Sequence, residues 1–518
     1  MTIFGPFTTL VSSLLIVFAN SANPLFPSYT EDLKINLNYT QSSINKISWF
    51  KDIGSNCDLI AFVIGEIFGP KKTILAASVT RFTALLLLCL AIKGRIKLHV
   101  WLTCLISLAS AACETVIIAS VKKPNIRNFT RRVPLVLLFI SLHLNLGAAF
   151  LLAFHLSTGE NQRGSLILLL AIFPLLVTLS LLAFISNRIL VTSYSQNILP
   201  FFYKVLGCSS FTSLFLFLTY ATRKLNPSRV FVSLAAIMCL LPLILAYRIQ
   251  SSESSQELSE AELEERDPHQ SSDQETEETQ QSEKSFQWST AWSSQFLLLV
   301  LITSCALGPT STSLDLTAQV VESLALKSVN SIYLILLTTL VTFFGKFFVS
   351  FLSDFLVQKF KIFRSFLILP LLFLSAVSFV SLAFPIKHSF SIYLSYIFVS
   401  FTHGGQLRLA SMILQDVYKK EHYFLFCLLK IGVILINYIL KIHLVSYFYS
   451  KEVKKSNPPL QNPIFSKNSC LGKMCFKDTF IIFSLFCFLA GLIWSFYCYR
   501  ERRFRDRDYS RLIDNEGL

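Results

Sequence analysis

Charge is scarce in this chain of 518 residues: 15% are Asp, Glu, Lys or Arg, where soluble domains carry about 25%. The shortage excludes an ordinary water-solvated fold. Also missing is the alternation of polar and apolar positions, in segments of about ten residues, that a membrane β-barrel needs. There is no Gly-x-x-x-x-Gly-Lys loop to cradle a nucleotide's phosphates, no His-Glu-x-x-His and no metal-ligand spacing. ATP-driven pumping and hydrolysis are set aside on that ground. The expectation is a protein that is not an enzyme and holds no cofactor or metal. Residues 1–26 lack the basic start and small-residue cleavage site of a signal peptide and read as a spanning helix.

What is present is apolar. Hydrophobic residues make up 53% of the chain and mean hydropathy is +0.57. Runs of about 20 apolar residues recur along nearly its whole length, each long enough to cross a hydrocarbon core of roughly 30 Å as a helix. The runs predict spans at 5–26, 44–66, 73–92, 98–120, 133–155, 164–186, 200–221 and 228–248. After a polar interruption they continue at 291–310, 328–352, 363–384, 389–414, 423–447 and 478–499. That is fourteen, or twelve if the pair at 200–248 lies at the interface. The divisions are a six-helix bundle over 1–190, two added helices over 191–248, a linker over 249–288, a second bundle over 289–499 and a basic tail over 500–518.

The net charge of +15 looks like a nucleic-acid signal and is read otherwise. The segment from Ile249 to Ser285 holds twelve acidic residues and two basic ones, with no apolar periodicity, which reads as a disordered acidic linker. Elsewhere stand 44 of the 46 basic groups but only 19 of the 31 acidic ones. This excess lies in short loops and the tail, where anionic lipid heads attract it. Basic residues concentrate in "VKKPNIRNFTRR" and "RERRFRDRDYSR", which places both on the cytosolic side. The sequon at Asn38 then faces outward, where glycosylation can occur.

Most of the twelve cysteines lie in apolar runs and read as inert packing. Cys470 and Cys475 fall in a polar loop, where two free thiols and a short disulfide stand as equal alternatives. In the tail, Asp508, Leu512 and Ile513 fit an Asp-x-x-x-Leu-Ile sorting pattern. Vacuolar or endosomal sorting and the plasma membrane both remain open.

Two six-helix bundles joined by a long linker resemble the plan of the major facilitator superfamily, in which a substrate site forms between halves that rock. "GEIFGPKK" (65–72) and "GKFFVSFLSDFLVQKFKIFR" (345–364) end matching helices of the two halves. They resemble a degraded form of that superfamily's loop signature of Gly, Asp and Arg/Lys. The resemblance implies close helix approach at Gly65, Gly69 and Gly345 and a charge latch from Glu66, Lys71, Lys72 and Asp354. "FPSYTEDLK", "LNYTQSSINKISWFKDIGSN", "LDLTAQ" (314–319), "YFYSKEV" (447–453) and "CLGKMCFKDTF" (470–480) narrow it further. Together they resemble the plant nodulin-like major facilitator family, which includes the proteins named nuclear fusion defective. The family places glycines where Asp58 and Phe62 stand here, and of its glycine-rich fifth helix only Gly147 remains. Lost glycines imply a changed substrate or a loss of transport.

An ionisable group deep in a membrane costs several kcal/mol unless it faces a cavity or a partner. Lys51 lies near enough the end of its helix to snorkel outward. Asp52 points about 100° away, so the two are not expected to pair. Asp58 is near the midplane and needs the central cavity or a cation on another helix. Glu114 needs a partner. His143 reads as a packing histidine or a proton relay, Asp315 as a solvated group past its helix end, and Lys430 as a snorkelling one. Arg408 has an anionic substrate, Asp416 and lipid phosphate as candidate partners. With Gln319, these residues outline a substrate and proton pathway of Lys51, Asp52, Asp58, Glu114, His143, Asp315, Gln319 and Arg408. The expected function is secondary transport of a small anionic or zwitterionic solute, with protons as a candidate coupling ion. The alternative is a non-transporting membrane scaffold or receptor.

Overall fold

The computed structural model describes residues 5–158, 164–185, 198–221, 233–249, 293–324, 329–361, 363–385, 389–418, 422–455, 470, 472 and 474–516, the stretch 501–516 by backbone alone. Among the described residues every regular element is a helix. The acidic linker lies outside them except for Ile249. Asp508, Leu512 and Ile513 fall on helical backbone, and their side chains lie outside the description.

The first half holds α1 (Pro6–Ala19), α2 (Thr30–Leu37), α3 (Gln41–Ser55), α4 (Asp58–Phe68), α5 (Pro70–Ile92), α6 (Val100–Asn128), α7 (Val133–Thr158) and α8 (Ser165–Leu181). Two helices follow, α9 (Ile198–Ala221) and α10 (Ser233–Ile249). The second half holds α11 (Ser294–Asp315), α12 (Thr317–Leu324), α13 (Ser331–Phe360), α14 (Ile368–Ala383) and α15 (Ser389–Val417). It ends with α16 (His422–Tyr438), a π-helical stretch (Ile439–Val445), α17 (Ser446–Lys455) and α18 (Met474–Glu516). Among the described residues, eleven helical segments are long and apolar enough to cross a membrane.

The first span runs further than the apolar run at 5–26. A 3-10 turn at Asn23–Tyr29 hands α1 to α2, giving helical chain over Pro6–Leu37. The second span is not one helix but two. Ser55 Oγ, Asn56 Nδ2 and Cys57 Sγ each donate to a carbonyl of the preceding turn, those of Lys51, Asp52 and Gly54, at 2.9, 2.8 and 3.0 Å. Three successive side chains compete with the backbone ladder, and α3 stops there. The chain restarts at Asp58, which opens α4.

Helix starts follow local chemistry. Thr40, Ser293 and Asn330 cap α3, α11 and α13 by accepting backbone N–H groups. Pro6 and Pro70 occupy first turns, where no N–H is needed. Gly69 turns the chain from α4 to α5 at φ +75°, a conformation that favours glycine.

Apolar side chains gather in three clusters. One fills the first half and extends to α9 and to Ile335, Leu336, Leu340 and Phe343 of α13. The other two fill opposite ends of the second half, around Phe379, Tyr396 and Phe480 and around Leu409, Leu425 and Trp494. Cys470 and Cys475 are joined by a disulfide. The Gly472 N–H donates to Ser323 O of α12 at 2.8 Å, and the Cys470 N–H to Tyr449 Oη at 2.9 Å. That disulfide end of the bundle also carries Asn38, the left-handed cap of α2. The opposite end carries Gly69 and Arg364.

Candidate functional site: an ion network above a cationic cavity

Four charges meet between the halves, Lys51 and Asp52 from α3, Asp315 from the last position of α11 and Lys441 from the π-helical stretch. Lys51 Nζ lies 2.8 Å from both Asp315 carboxylate oxygens and 5.0 Å from the Phe26 ring centroid. Lys441 Nζ lies 2.5 Å from Asp52 Oδ2 and 2.5 Å from Asp315 Oδ2, and it donates to Ser48 Oγ at 2.8 Å. Asn437 Nδ2 donates to Asp52 Oδ2 at 2.9 Å, and Ser48 Oγ to Asp315 Oδ2 at 2.8 Å.

Three expectations change here. Lys51 does not snorkel outward; it is buried and its ammonium is held by Asp315. Lys51 and Asp52 do pair, at 3.4 Å, because the long lysine stem bends toward the same second-half charges that hold Asp52. Asp315 is not a solvated group past its helix. Its side chain is 13% exposed and two lysines hold it.

More bonds join the halves toward the disulfide end. Lys34 of α2 pairs with Glu322 of α12 at 3.2 Å. Gln41 Nε2 donates to Gln319 Oε1 at 2.5 Å, and Asn45 Nδ2 to Ser446 Oγ at 3.0 Å. Gln319 therefore belongs to this closure and does not line the cavity beneath it.

That cavity, about 370 Å³, runs between the halves from the network toward the Gly69–Arg364 end. Helix α6 lines one wall with Glu114, Thr115, Ile118 and Lys122, and α15 lines the other with His403, Leu407, Arg408, Ser411 and Gln415. Asp58 projects into it and pairs with Lys430 of α16 at 2.5 Å and with Lys122 at 4.0 Å. Lys430 is thus a bridge between halves and not a snorkelling residue, because Asp58 at the head of α4 faces it. Lys346 of α13 donates to Asn145 Oδ1 at 2.6 Å and to Ser141 O at 3.2 Å. Arg408 donates to Ser350 Oγ and to Pro134 O, both at 3.1 Å. Among the described residues neither Lys346 nor Arg408 has an acidic partner within ion-pair distance.

Residues 6–247 match the nodulin-like family model. That stretch, a little under half of the chain, is similar to the family. The fold is shared with solved structures at low identity. A bacterial homolog of the human lysosomal transporter Spinster, in an inward-facing and unoccupied conformation, aligns at TM-score 0.57 and 12% identity, covering 95% of this chain and 96% of that one. An auto-inhibited peptide transporter of the POT family gives 0.56 and 13%, over 96% and 97%. The xylose transporter XylE from E. coli, partially occluded and inward open, gives 0.54 and 12%, over 95% and 98%. No curated protein matches the sequence. The chain is an integral, multi-pass membrane protein.

Within the first half, Glu114 finds the partner it needs. Arg81 of α5 donates to it at 2.9 Å, and the Ala22 and Asn23 N–H groups, freed where α1 breaks, donate at 3.2 Å each. Arg81 also grips Asn20 through O and Oδ1, at 2.6 and 2.8 Å. His143 lies off the pathway. Its ring faces Phe139 O at 2.8 Å and Ser209 of α9 at 3.3 Å, because its side of α7 packs away from the cavity.

The latch residues divide. Glu66 pairs with Lys123 at 2.6 Å, Lys71 donates to Ala183 O at 3.3 Å, and Lys72 is exposed. Asp354 pairs with Arg364 at 2.6 Å, and Arg364 also holds Asp416, so Arg408 does not take that acid. Of Gly65, Gly69 and Gly345, only Gly345 marks a close helix approach, where a Cβ would run into the Phe401 backbone. A Cβ at Gly65 would make ordinary contact with Ser120, and one at Gly69 would meet open space.

Sequence reading passed over Lys441, Lys346, Lys122 and Arg81. Lys441, Lys346 and Arg81 are lone cations inside apolar runs. That signal alone nominates a site.

Proposed function

We propose that this protein is a secondary transporter that moves a small anionic or zwitterionic solute by alternating access. The observation that carries the reading is the cavity between the halves, walled by α6 and α15 and sealed on one side by the four-charge network. Support also comes from the three structural neighbours, each named as a transporter. On this reading the disulfide end faces outward, as the basic loops argue, and the cavity is the inward-facing one. The bonds between Lys34 and Glu322, Gln41 and Gln319, and Asn45 and Ser446 are then the closed outer gate.

Asp58 is the carboxylate placed to exchange a proton with the cavity. It faces that space between Lys122 and Lys430, whereas Glu114 is committed to Arg81 and two backbone amides. Loss of the Asp58 charge as solute leaves would couple the two fluxes. The site of action is the vacuolar, endosomal or plasma membrane.

The test is uptake into proteoliposomes under an imposed proton gradient, with a panel of carboxylates, phosphates and amino acids. Uptake of at least one solute is expected, together with loss of its proton dependence in Asp58→Asn. Absence of flux for the whole panel, with Asp58→Asn functional in cells, would overturn the reading in favour of a non-transporting scaffold.

A further inference from the structure

The cavity's charges are unevenly shared, and the imbalance specifies a ligand. The second half presents Lys346, Arg408 and Lys430 to the space below the network and no carboxylate at that level; its one lining acid, Asp315, is consumed in the network. The first half answers with Asp58 and adds Lys122. Four cations therefore surround two acids: Glu114 is already held by Arg81, and Asp58 sits against Lys430 and Lys122. A buried cation without a counter-charge is unfavourable, so the lining side chains carry positive charge that they do not themselves neutralise.

The unneutralised pair is Lys346 and Arg408, and α13 ties them together. Ser350, one turn beyond Lys346, accepts from Arg408 Nε and donates to Lys346 O. Each head keeps spare donors. An ammonium has three N–H groups and a guanidinium five, and among the described residues two of each are used. Gln415 on the same wall has a buried Nε2 with no partner among the described residues. Ser411, Thr338, Thr339 and Thr342 add hydroxyls.

We propose that the solute is a compact dianion, a small dicarboxylate or a phosphate, bound with its charges between Lys346 and Arg408 on one side and Lys122 on the other. This deepens the transport reading and rests on it. A monoanion leaves most of the cation surplus standing. A zwitterion adds an ammonium to it. The guanidinium fork of Arg408 fits the paired oxygens of carboxylate or phosphate, and the cavity lies at the small end of ordinary ligand sites, about 300–1,000 Å³.

The test uses the purified full-length protein in detergent at constant ionic strength, with succinate, inorganic phosphate, acetate and alanine as probes. Binding is read as a ligand-dependent rise in thermal midpoint. A Kd for succinate or phosphate at least tenfold below those for acetate and alanine is expected. Succinate ahead identifies a dicarboxylate site, and phosphate ahead a phosphate site. Lys346→Met and Arg408→Gln should each raise the dianion Kd tenfold or more and move the acetate Kd less than threefold. Lys346→Arg should keep wild-type affinity. If Lys346→Met fails to fold, the wild-type ranking with Lys346→Arg decides. Acetate or alanine binding as tightly as the dianions, with uptake intact, would sink the dianion proposal and leave transport standing. No binding and no uptake of any probe would sink both.

Discussion

The two charged regions between the halves are built on opposite principles. In the network at the disulfide end, each half brings one lysine and one aspartate. The pairs that cross between halves are Lys51 with Asp315 at 2.8 Å and Lys441 with Asp52 at 2.5 Å. The pairs within a half are Lys51 with Asp52 at 3.4 Å and Lys441 with Asp315 at 2.5 Å. When the halves part there, each keeps a neutral couple. In the cavity below, the second half keeps three lining cations with no acid of its own at that level. The first region is arranged to close and reopen without exposing net charge to a low-dielectric surround. The second is arranged to be filled.

The comparison breaks most sharply at Lys441, whose side chain is 2% exposed. Lys441→Met leaves Asp52 and Asp315 sharing one lysine. Stranding a buried charge costs about 3–5 kcal/mol, expected as lost unfolding free energy in mixed micelles. The double variant Lys441→Met with Asp315→Asn removes one charge of each sign from the second half and leaves Lys51 with Asp52. It should be more stable than Lys441→Met alone. If the double were worse than the sum of the singles, the neutral-couple account would fail.

A smaller effect is expected where no charge is involved. Gly345 of α13 packs against the Phe401 backbone of α15, so an added methyl meets atoms that cannot rotate away. Gly345→Ala should cost about 1–3 kcal/mol by overpacking. Gly69→Ala meets open space at φ +75°, and it should lose only the conformational advantage of glycine, about 1–2 kcal/mol. Equal losses with a shifted α13–α15 spacing in both variants would contradict this division.

Much of this was legible in the sequence, for identifiable reasons. Apolar runs mark spans because backbone polar groups must bond within the segment, so the runs located the main helices. Asp58 and Glu114 could be nominated because a carboxylate at depth needs a partner, and both have one. The partners themselves were not legible. Lys430 and Lys441 lie more than 370 residues along the chain from Asp58 and Asp52, and nothing local encodes which face of one span meets which face of another. His143 stood between a packing and a relay reading for the same reason, since a polar residue on α7 can satisfy itself against α9, as it does, as well as against the cavity. The break at Asn56 and Cys57 was hidden because side-chain bonds to the preceding turn leave hydropathy unchanged.

The smallest predicted stability effect is the most discriminating. Lys346 is as buried as Lys51, at 4% against 7% exposure, so burial alone predicts similar damage from neutralising either. Their partners differ. Lys51 answers Asp315 and Asp52, whereas among the described residues Lys346 donates only to an amide and a carbonyl oxygen. Lys346→Met gives up those two bonds but also removes the cost of holding an uncompensated ammonium near Arg408 and Lys430. Replacing buried charge with an apolar side chain is often neutral or stabilising, so the unfolding free energy should change by less than about 1 kcal/mol. Lys51→Met should cost about 3–5 kcal/mol by leaving Asp52 and Asp315 to share Lys441 alone, with one negative charge uncompensated. Measured side by side in the same micelles, a loss for Lys346→Met matching that for Lys51→Met would mean that Lys346 already has a resident counter-charge. The cavity would then be complete without a ligand, and the contrast between the two regions would disappear.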